Sequence, residues 1–329
     1  MFGLWFLRSQ CNSANFQPPI IRTEVLMSTG LSDEQLKRVL QGISIPPQPQ
    51  VMVDLHMEQA MPEPDMSRIA QIISQDVGLS AAVLKFVNSA YYGLPRKISS
   101  IQQAVMMLGI NSISNIVNGL AVKSELSDGA IEELHNFWDN AMDVASVCSS
   151  IANQIGFKYQ DECYALGLFH NAGVPLMMSR FDDYKNVLEQ GYQTFNFELT
   201  DLENKAFRTN HSVVGYYLAK SWALPKACCY VIAHHHRAQK LFNERIAGDS
   251  KYLTFMSILK MAEHISATYK FLGKAPEDYE WQLIGHHALE HLELTEYDFE
   301  GIIDTCREQG IGNMWSPPNK AKKSAMALF

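Results

Sequence analysis

The chain has 329 residues, of which 47% are apolar and 19% charged, with a formal charge of −8. These are globular proportions with room for a large core, which excludes disordered, collagenous and disulfide-stapled classes. An acidic chain of pI about 5.8 repels phosphate backbones, so nucleic acid is disfavoured as a partner, and the short basic tail Lys320, Lys322, Lys323 is too small to reverse that.

Residues 1–30 read as an unstructured extension. The opening MFGLWFLRSQ lacks the charged start and small-residue cleavage site of a signal peptide, and Met27 before a capping-type Ser32-Asp33-Glu34 is a plausible natural start. No uninterrupted run of about 18 apolar residues marks a membrane span, so a cytoplasmic location is expected. A helix fits Asp33 to Leu40. Ile45-Pro46-Pro47-Gln48-Pro49 must be extended, followed by a helix carrying Val51, Val53, Leu55 and Met57. Asp65 or Ser67 caps a helix with Ile69, Ile72 and Ile73 on one face, broken at Gly78. Leu79, Ala82, Val83, Phe86 and Val87 repeat at helical spacing. Tyr91 to Pro95 is a turn. Ser99 and Ser100 cap a helix that Gly109 ends, and Asn111 opens another with Ile113, Ile116, Val117 and Leu120.

Ser127-Asp128-Gly129 is the best internal boundary. Beyond it Phe137, Ala141, Val144, Ala145, Cys148, Ile151, Ala152 and Ile155 form one apolar face, closed by Gly156. Further helices fit 161–170, 173–190, 198–206, 211–222, 226–237, 252–268, 277–291 and 296–309. No hairpin signal interrupts them, and the pairs Met106-Met107 and Met177-Met178 read as core filler. Six cysteines, none in a CxxC pair, read as reduced buried thiols. The fold class is all-α, with an N-terminal helical subdomain over 31–127, a helical bundle over 128–270, packed helices over 271–315 and an unstructured tail over 316–329.

Histidine placement carries the functional question. His170 ends a buried helix, His211 opens another, and His234-His235-His236 are consecutive. Imidazoles and a carboxylate such as Glu263, brought from separate helices, can hold a metal in a bundle core. Consecutive helical side chains point about 100° apart, so at most two of the three histidines face the site, and His235 is the expected one.

From Leu55 to about His236 the sequence resembles the HDOD domain, a non-catalytic-looking branch of the HD phosphohydrolase superfamily. The resemblance rests on Asn88-Ser89-Ala90-Tyr91-Tyr92-Gly93-Leu94-Pro95-Arg96-Lys97-Ile98-Ser99-Ser100-Ile101-Gln102-Gln103-Ala104, on Leu108-Gly109-Ile110, and on the entry Pro46-Pro47-Gln48-Pro49. His211-Ser212-Val213-Val214-Gly215, Trp222-Ala223-Leu224-Pro225 and the histidine run follow in order. The resemblance implies an HD-like bundle. It places the superfamily's first histidine at Asn140, its His-Asp pair at His170-Asn171, its added histidines at His211 and His234 or His235, and its last aspartate at Glu263. Val174 stands where catalytic branches often carry lysine.

These departures bear on chemistry. The pair's aspartate neutralises the metal and bridges two ions, whereas Asn171 is neutral. Asn140 replaces an imidazole with an amide. The expected function is therefore a non-catalytic signal-transduction or scaffolding module in bacterial-type regulation, without a cofactor and with no catalytic residue. It would bind a partner protein or small anionic ligand in the crevice between the two subdomains. The alternative is a metal-dependent phosphohydrolase acting on a nucleotide or cyclic dinucleotide, with His170, His211, His235 and Glu263 holding zinc, iron, nickel or manganese. In the signature turn, Asn88 and Gly93 serve turn chemistry. Tyr91, Tyr92, Arg96 and Lys97 beside Asn88 offer a partly basic surface for a partner or anionic ligand.

Overall fold

A computed structural model describes residues 33–88, 97–126, 132–194, 198–244 and 250–312. Regular structure among the described residues is entirely helical. α1 (Asp33–Leu40) packs through Leu40 on the core of the second unit, and the first unit comprises α2 (Gln50–Gln59), α3 (Met66–Ser74), α4 (Val77–Val87) and α5 (Ile101–Leu126). Each start has a local cause. The Asp65 carboxylate accepts from Ser67 N at α3, and Asp76 accepts from Leu79 N at α4, satisfying donors that a helix leaves open. The break between them thus falls at Gln75-Asp76, and Gly78 lies inside the first turn of α4. Gly109, at φ 78° and ψ 169°, kinks α5 where the sequence placed two helices end to end.

Leu55, Ile69, Ile73, Val83, Ile113 and Val117 are all fully buried and form this unit's own core. By length and composition Ile101–Val122 could cross a membrane, which the search for an unbroken apolar run did not reveal. Its apolar face is used in the protein core, since Ala104, Val105, Ile113 and Val117 are fully buried. Met106 and Met107 are 67% and 44% exposed, contrary to the core-filler reading. They sit on the face of α5 opposite Ala104 and Val105. Asn88 caps α4 as a clamp: its Nδ2 donates to Leu84 O and Ile98 O, and its Oδ1 accepts from Ile98 N, all at 2.8 Å. Lys97 is exposed. Tyr91, Tyr92 and Arg96, like residues 1–30, the Ser127–Gly129 boundary and the tail 316–329, lie outside the described residues.

The remainder packs as α6 (Glu132–Gln154), α7 (Gln160–Phe169), α8 (Gly173–Arg180), α9 (Tyr184–Tyr192), α10 (Leu199–Phe207), α11 (His211–Ser221) and α12 (Lys226–His234). A 3₁₀ turn over His235–Arg237 leads to α13 (Ala238–Glu244), α14 (Ser250–Ile265), α15 (Thr268–Gly273), α16 (Tyr279–His291) and α17 (Glu296–Glu308). The expected helix 173–190 is interrupted between Arg180 and Tyr184, and 226–237 tightens to 3₁₀ at His235. α13 and α15, each under two turns, were not anticipated, because segments that short show no readable periodicity. A second core includes Trp138, Val144, Ile151, Phe169, Trp222 and Phe255. The proline segment ties the two units together: Trp222 Nε1 donates to Pro46 O at 3.0 Å, and Gln48 Nε2 donates to Trp222 O at 3.3 Å. The five described cysteines are buried free thiols.

Candidate functional site

Four elements meet in the middle of the second unit. The α7–α8 turn brings His170 and Asn171, the start of α11 brings His211, the 3₁₀ turn brings His235 and His236, and α14 brings Lys260 and Glu263. The approach of α8 to α11 depends on Gly173, where an added Cβ would stand 2.0 Å from His211 O. His170, His211 and His235 are buried to within 1%.

Each imidazole is held by Nδ1. His170 Nδ1 lies 2.6 Å from Gly167 O, and His235 Nδ1 lies 2.7 Å from Ile232 O. His211 Nδ1 lies 2.8 Å from both oxygens of Glu203, which also accepts from the Tyr184 hydroxyl. His236 Nδ1 is 3.4 Å from Glu280 Oε2. Carbonyl and carboxylate acceptors assign the proton to Nδ1 in each ring, which leaves Nε2 as the lone-pair atom facing inward. His211 Nε2 and His235 Nε2 are 3.3 Å apart. Asn171 spans the gap between rings: its Nδ2 donates to His170 Nε2 at 2.8 Å, and its Oδ1 lies 3.3 Å from His235 Nε2.

A single ammonium serves two carboxylates beside the site. Lys260 Nζ is 2.9 Å from both Glu263 Oε2 and Glu280 Oε1, and Glu263 Oε1 is 3.4 Å from His170 Nε2. Burial alone would raise the carboxyl of Glu263, but the Lys260 ammonium overcomes it and holds it below its ordinary value. The same exchange raises Lys260, because two carboxylates outweigh its desolvation. Burial lowers His235 and His236, keeping both imidazoles neutral.

The expected residues therefore sort unequally. His170, Asn171, His211, His235 and Glu263 converge. Asn140 is directed elsewhere: its Nδ2 donates to Ser266 O and its Oδ1 accepts from Thr268 Oγ1, both at 3.5 Å. His234 stacks on Tyr230 instead. Four participants were missed. Glu203 and Glu280 sit on surface-patterned helices, His236 faces inward beside His235, and Lys260 lies in an apolar helix where a long stem buries easily. The one available signal was a charged residue three positions before Glu263 on the same face.

Part of this donor set suits a metal ion. His211, His235 and His236 offer ring nitrogens within 4.8 Å of one another, the Glu203 carboxylate orients His211 from behind as metal-binding histidines require, and buried His236 Nε2 has no hydrogen-bond partner. This fits a single nitrogen-liking ion such as zinc, iron or nickel. Between His170 and His235 stands the neutral Asn171 amide rather than a carboxylate.

The HDOD domain family model matches residues 45–238. The chain belongs to the HDOD family. The HDOD fold is matched by a Geobacter sulfurreducens HDOD domain protein of unknown function, at TM-score 0.64 and 20% identity over 86% of this chain and 99% of that one. A Shewanella amazonensis protein provisionally named a phosphohydrolase matches at TM-score 0.61 and 20% identity, over 84% and 96%. Among curated relatives, an uncharacterized Treponema pallidum protein is 26% identical over 58% of this chain and 37% of its own length. The cyclic di-GMP phosphodiesterase CdgJ of Vibrio cholerae is 30% identical over 38% of this chain and 28% of its own length. The HDOD chain thus spans well under half the length of these curated relatives.

Proposed function

We propose that this HDOD protein is a non-catalytic signal-transduction module that docks a partner protein through its N-terminal helical unit and the adjoining crevice. One observation carries the reading: a neutral amide, Asn171, stands between His170 and His235, while the carboxylate beside His170 is ion-paired with Lys260. Phosphodiester cleavage by paired ions needs an anionic bridge to hold the metals and lower the pKa of water.

Two surface features support docking. Of the seven exposed large apolar side chains among the described residues, Met57, Met61, Met66, Val77, Met106 and Met107 lie on the first unit and Tyr297 on α17. Methionines suit adaptable partner surfaces. The crevice between α2, α5 and α7 encloses about 270 Å³ and is lined by His56, Asn111, Asn115, Asn118, Asp161 and Glu162 among others, with no lysine or arginine. Amides and carboxylates there match the backbone of a peptide segment better than they match a small anion.

The test is hydrolysis and crosslinking of the full chain. With manganese, iron or nickel, phosphodiester and cyclic dinucleotide substrates should show no turnover above the His170→Ala variant; turnover that this variant abolishes overturns the reading. A photo-crosslinking residue at Met106 should give a discrete adduct in cells, and one at exposed Glu300 none. A second reading, a metal-dependent phosphohydrolase acting on a nucleotide or cyclic dinucleotide, has the inward-facing Nε2 atoms and the name of the Vibrio relative in its favour. The same hydrolysis assay separates the two.

A further inference from the structure

Every residue from Ala60 to Arg68, where α2 passes into α3, is exposed. Met61 is 56% exposed and Met66 44%. The connector is nevertheless pinned. Pro62 and Pro64 fix two of its φ angles. Ala60 N donates to His56 O and Met61 N to Glu58 O, both at 3.1 Å. Asp65 N donates to Glu58 Oε1 at 3.0 Å, and Asp65 Oδ1 accepts from Ser67 N at 2.8 Å, so both ends are tied to helices. α5 lies alongside: Gln102 Nε2 donates to Ser67 Oγ at 3.3 Å, and Gln59 Nε2 donates to Asn111 Oδ1 at 3.5 Å. Met106 follows Gln102 by one helical turn, falls between those two contacts and is 67% exposed. Met61, Met66 and Met106 thus flank one junction of α2, α3 and α5.

Charge gives this apolar surface a sign. Glu58, Glu63 and Asp65 share the connector with the methionines, and none of the three is ion-paired with a described lysine or arginine. Arg68, the cation next in sequence, lies 3.5 Å from Gln71 Oε1 on its own helix. The chain's formal charge of −8 adds to the local field, so a cationic partner is steered toward the surface and an anionic one turned away. Among the described residues no strand edge offers itself to an extended peptide. An amphipathic helix is the element whose apolar stripe seats on methionines while its charged flank meets carboxylates. With the connector already ordered, docking immobilises little beyond the methionine side chains.

We propose that the partner of the N-terminal unit presents a cationic amphipathic helix, whose apolar stripe seats on Met61, Met66 and Met106 and whose lysines or arginines meet Glu58, Glu63 and Asp65. The proposal rests on the docking reading and names the chemistry of the partner at that surface.

The probe is a designed Leu/Lys peptide with its leucines on one helical face, titrated into the full chain. A Leu/Glu peptide of the same pattern and a Leu/Lys peptide of the same composition in scrambled order are its controls. Fluorescence anisotropy should show saturable binding of the probe, with both controls at least tenfold weaker. Glu63→Lys and Met66→Gln should each weaken the probe at least tenfold. Glu308→Lys, the same charge change on α17, should leave it within twofold. All three positions are exposed, and far-UV circular dichroism checks that the variants keep their helix content. A control peptide that binds as tightly, affinity unchanged by Glu63→Lys or Met66→Gln, or an equal loss in Glu308→Lys overturns the proposal. So does light scattering that shows the free chain forming a dimer which Met66→Gln dissociates, since a second copy would then cover the surface. The docking reading fails separately, through hydrolysis that His170→Ala abolishes.

Discussion

On α14 a single turn places Lys260 and Glu263 three residues apart on one face, and the ammonium meets both Glu263 and Glu280 at 2.9 Å. Removing one partner from a buried ion pair strands the other charge, which costs about 3–5 kcal/mol. Lys260→Met should therefore lower the urea-unfolding free energy by that order at pH 7. Part of the loss should return in mild acid, as the stranded carboxylates take up protons. A loss below about 1 kcal/mol would show that the carboxylates are neutralised otherwise. Asp143 gives the opposite pH signature. Burial raises its carboxyl, and the bond from Gly312 N at 2.8 Å only partly offsets this. A folded pKa above the unfolded value means stability present at acid pH is lost as pH rises through the folded value, at up to about 1.4 kcal/mol per pH unit. Asp143→Asn keeps the Gly312 acceptor and cannot ionise. Measured at pH 4 and pH 7, the difference between the two proteins should move in favour of the variant as pH rises.

Two glycines set how elements meet. Gly109 has open space around its Cα, so Gly109→Ala meets no clash. Its φ and ψ nevertheless fall where only glycine is comfortable, and the variant should lose about 1–3 kcal/mol by denaturant unfolding. Gly173 is the reverse case, with an ordinary φ but the His211 carbonyl 2.0 Å from any Cβ. Gly173→Ala must push α8 from α11, so the NMR resonances of His170, His211 and His235 should shift together. A variant whose histidine resonances are unchanged would show that the close approach is not required.

The molecule carries two separate apolar cores joined by the proline segment. Truncating a fully buried residue costs about 2–5 kcal/mol through lost transfer energy and the cavity left behind. Ile73→Ala should destabilise the first unit by that order. Amide exchange should then accelerate over 66–117 while the histidine-bearing helices keep their protection; uniform acceleration throughout would mean that the two cores unfold as one.

Local signals in the sequence were sufficient wherever a residue acts on its own backbone. The bounds of α1, the Asp65 cap, the kink at Gly109 and the buried face of α6 follow from capping chemistry, a glycine-only conformation and a 3.6-residue repeat. The HDOD family, the all-α class and the positions of His170, Asn171 and His211 were legible for the same reason, as ordered blocks of residues. What only the tertiary structure decided is which buried polar groups meet: Glu203 behind His211, Lys260 between Glu263 and Glu280, His236 beside His235, and Asn140 turned toward Ser266. Helical periodicity reports which face leaves water, but not which charged group on another helix completes a buried one. That pairing is fixed by how the helices cross, and a crossing spends contacts from many distant residues at once.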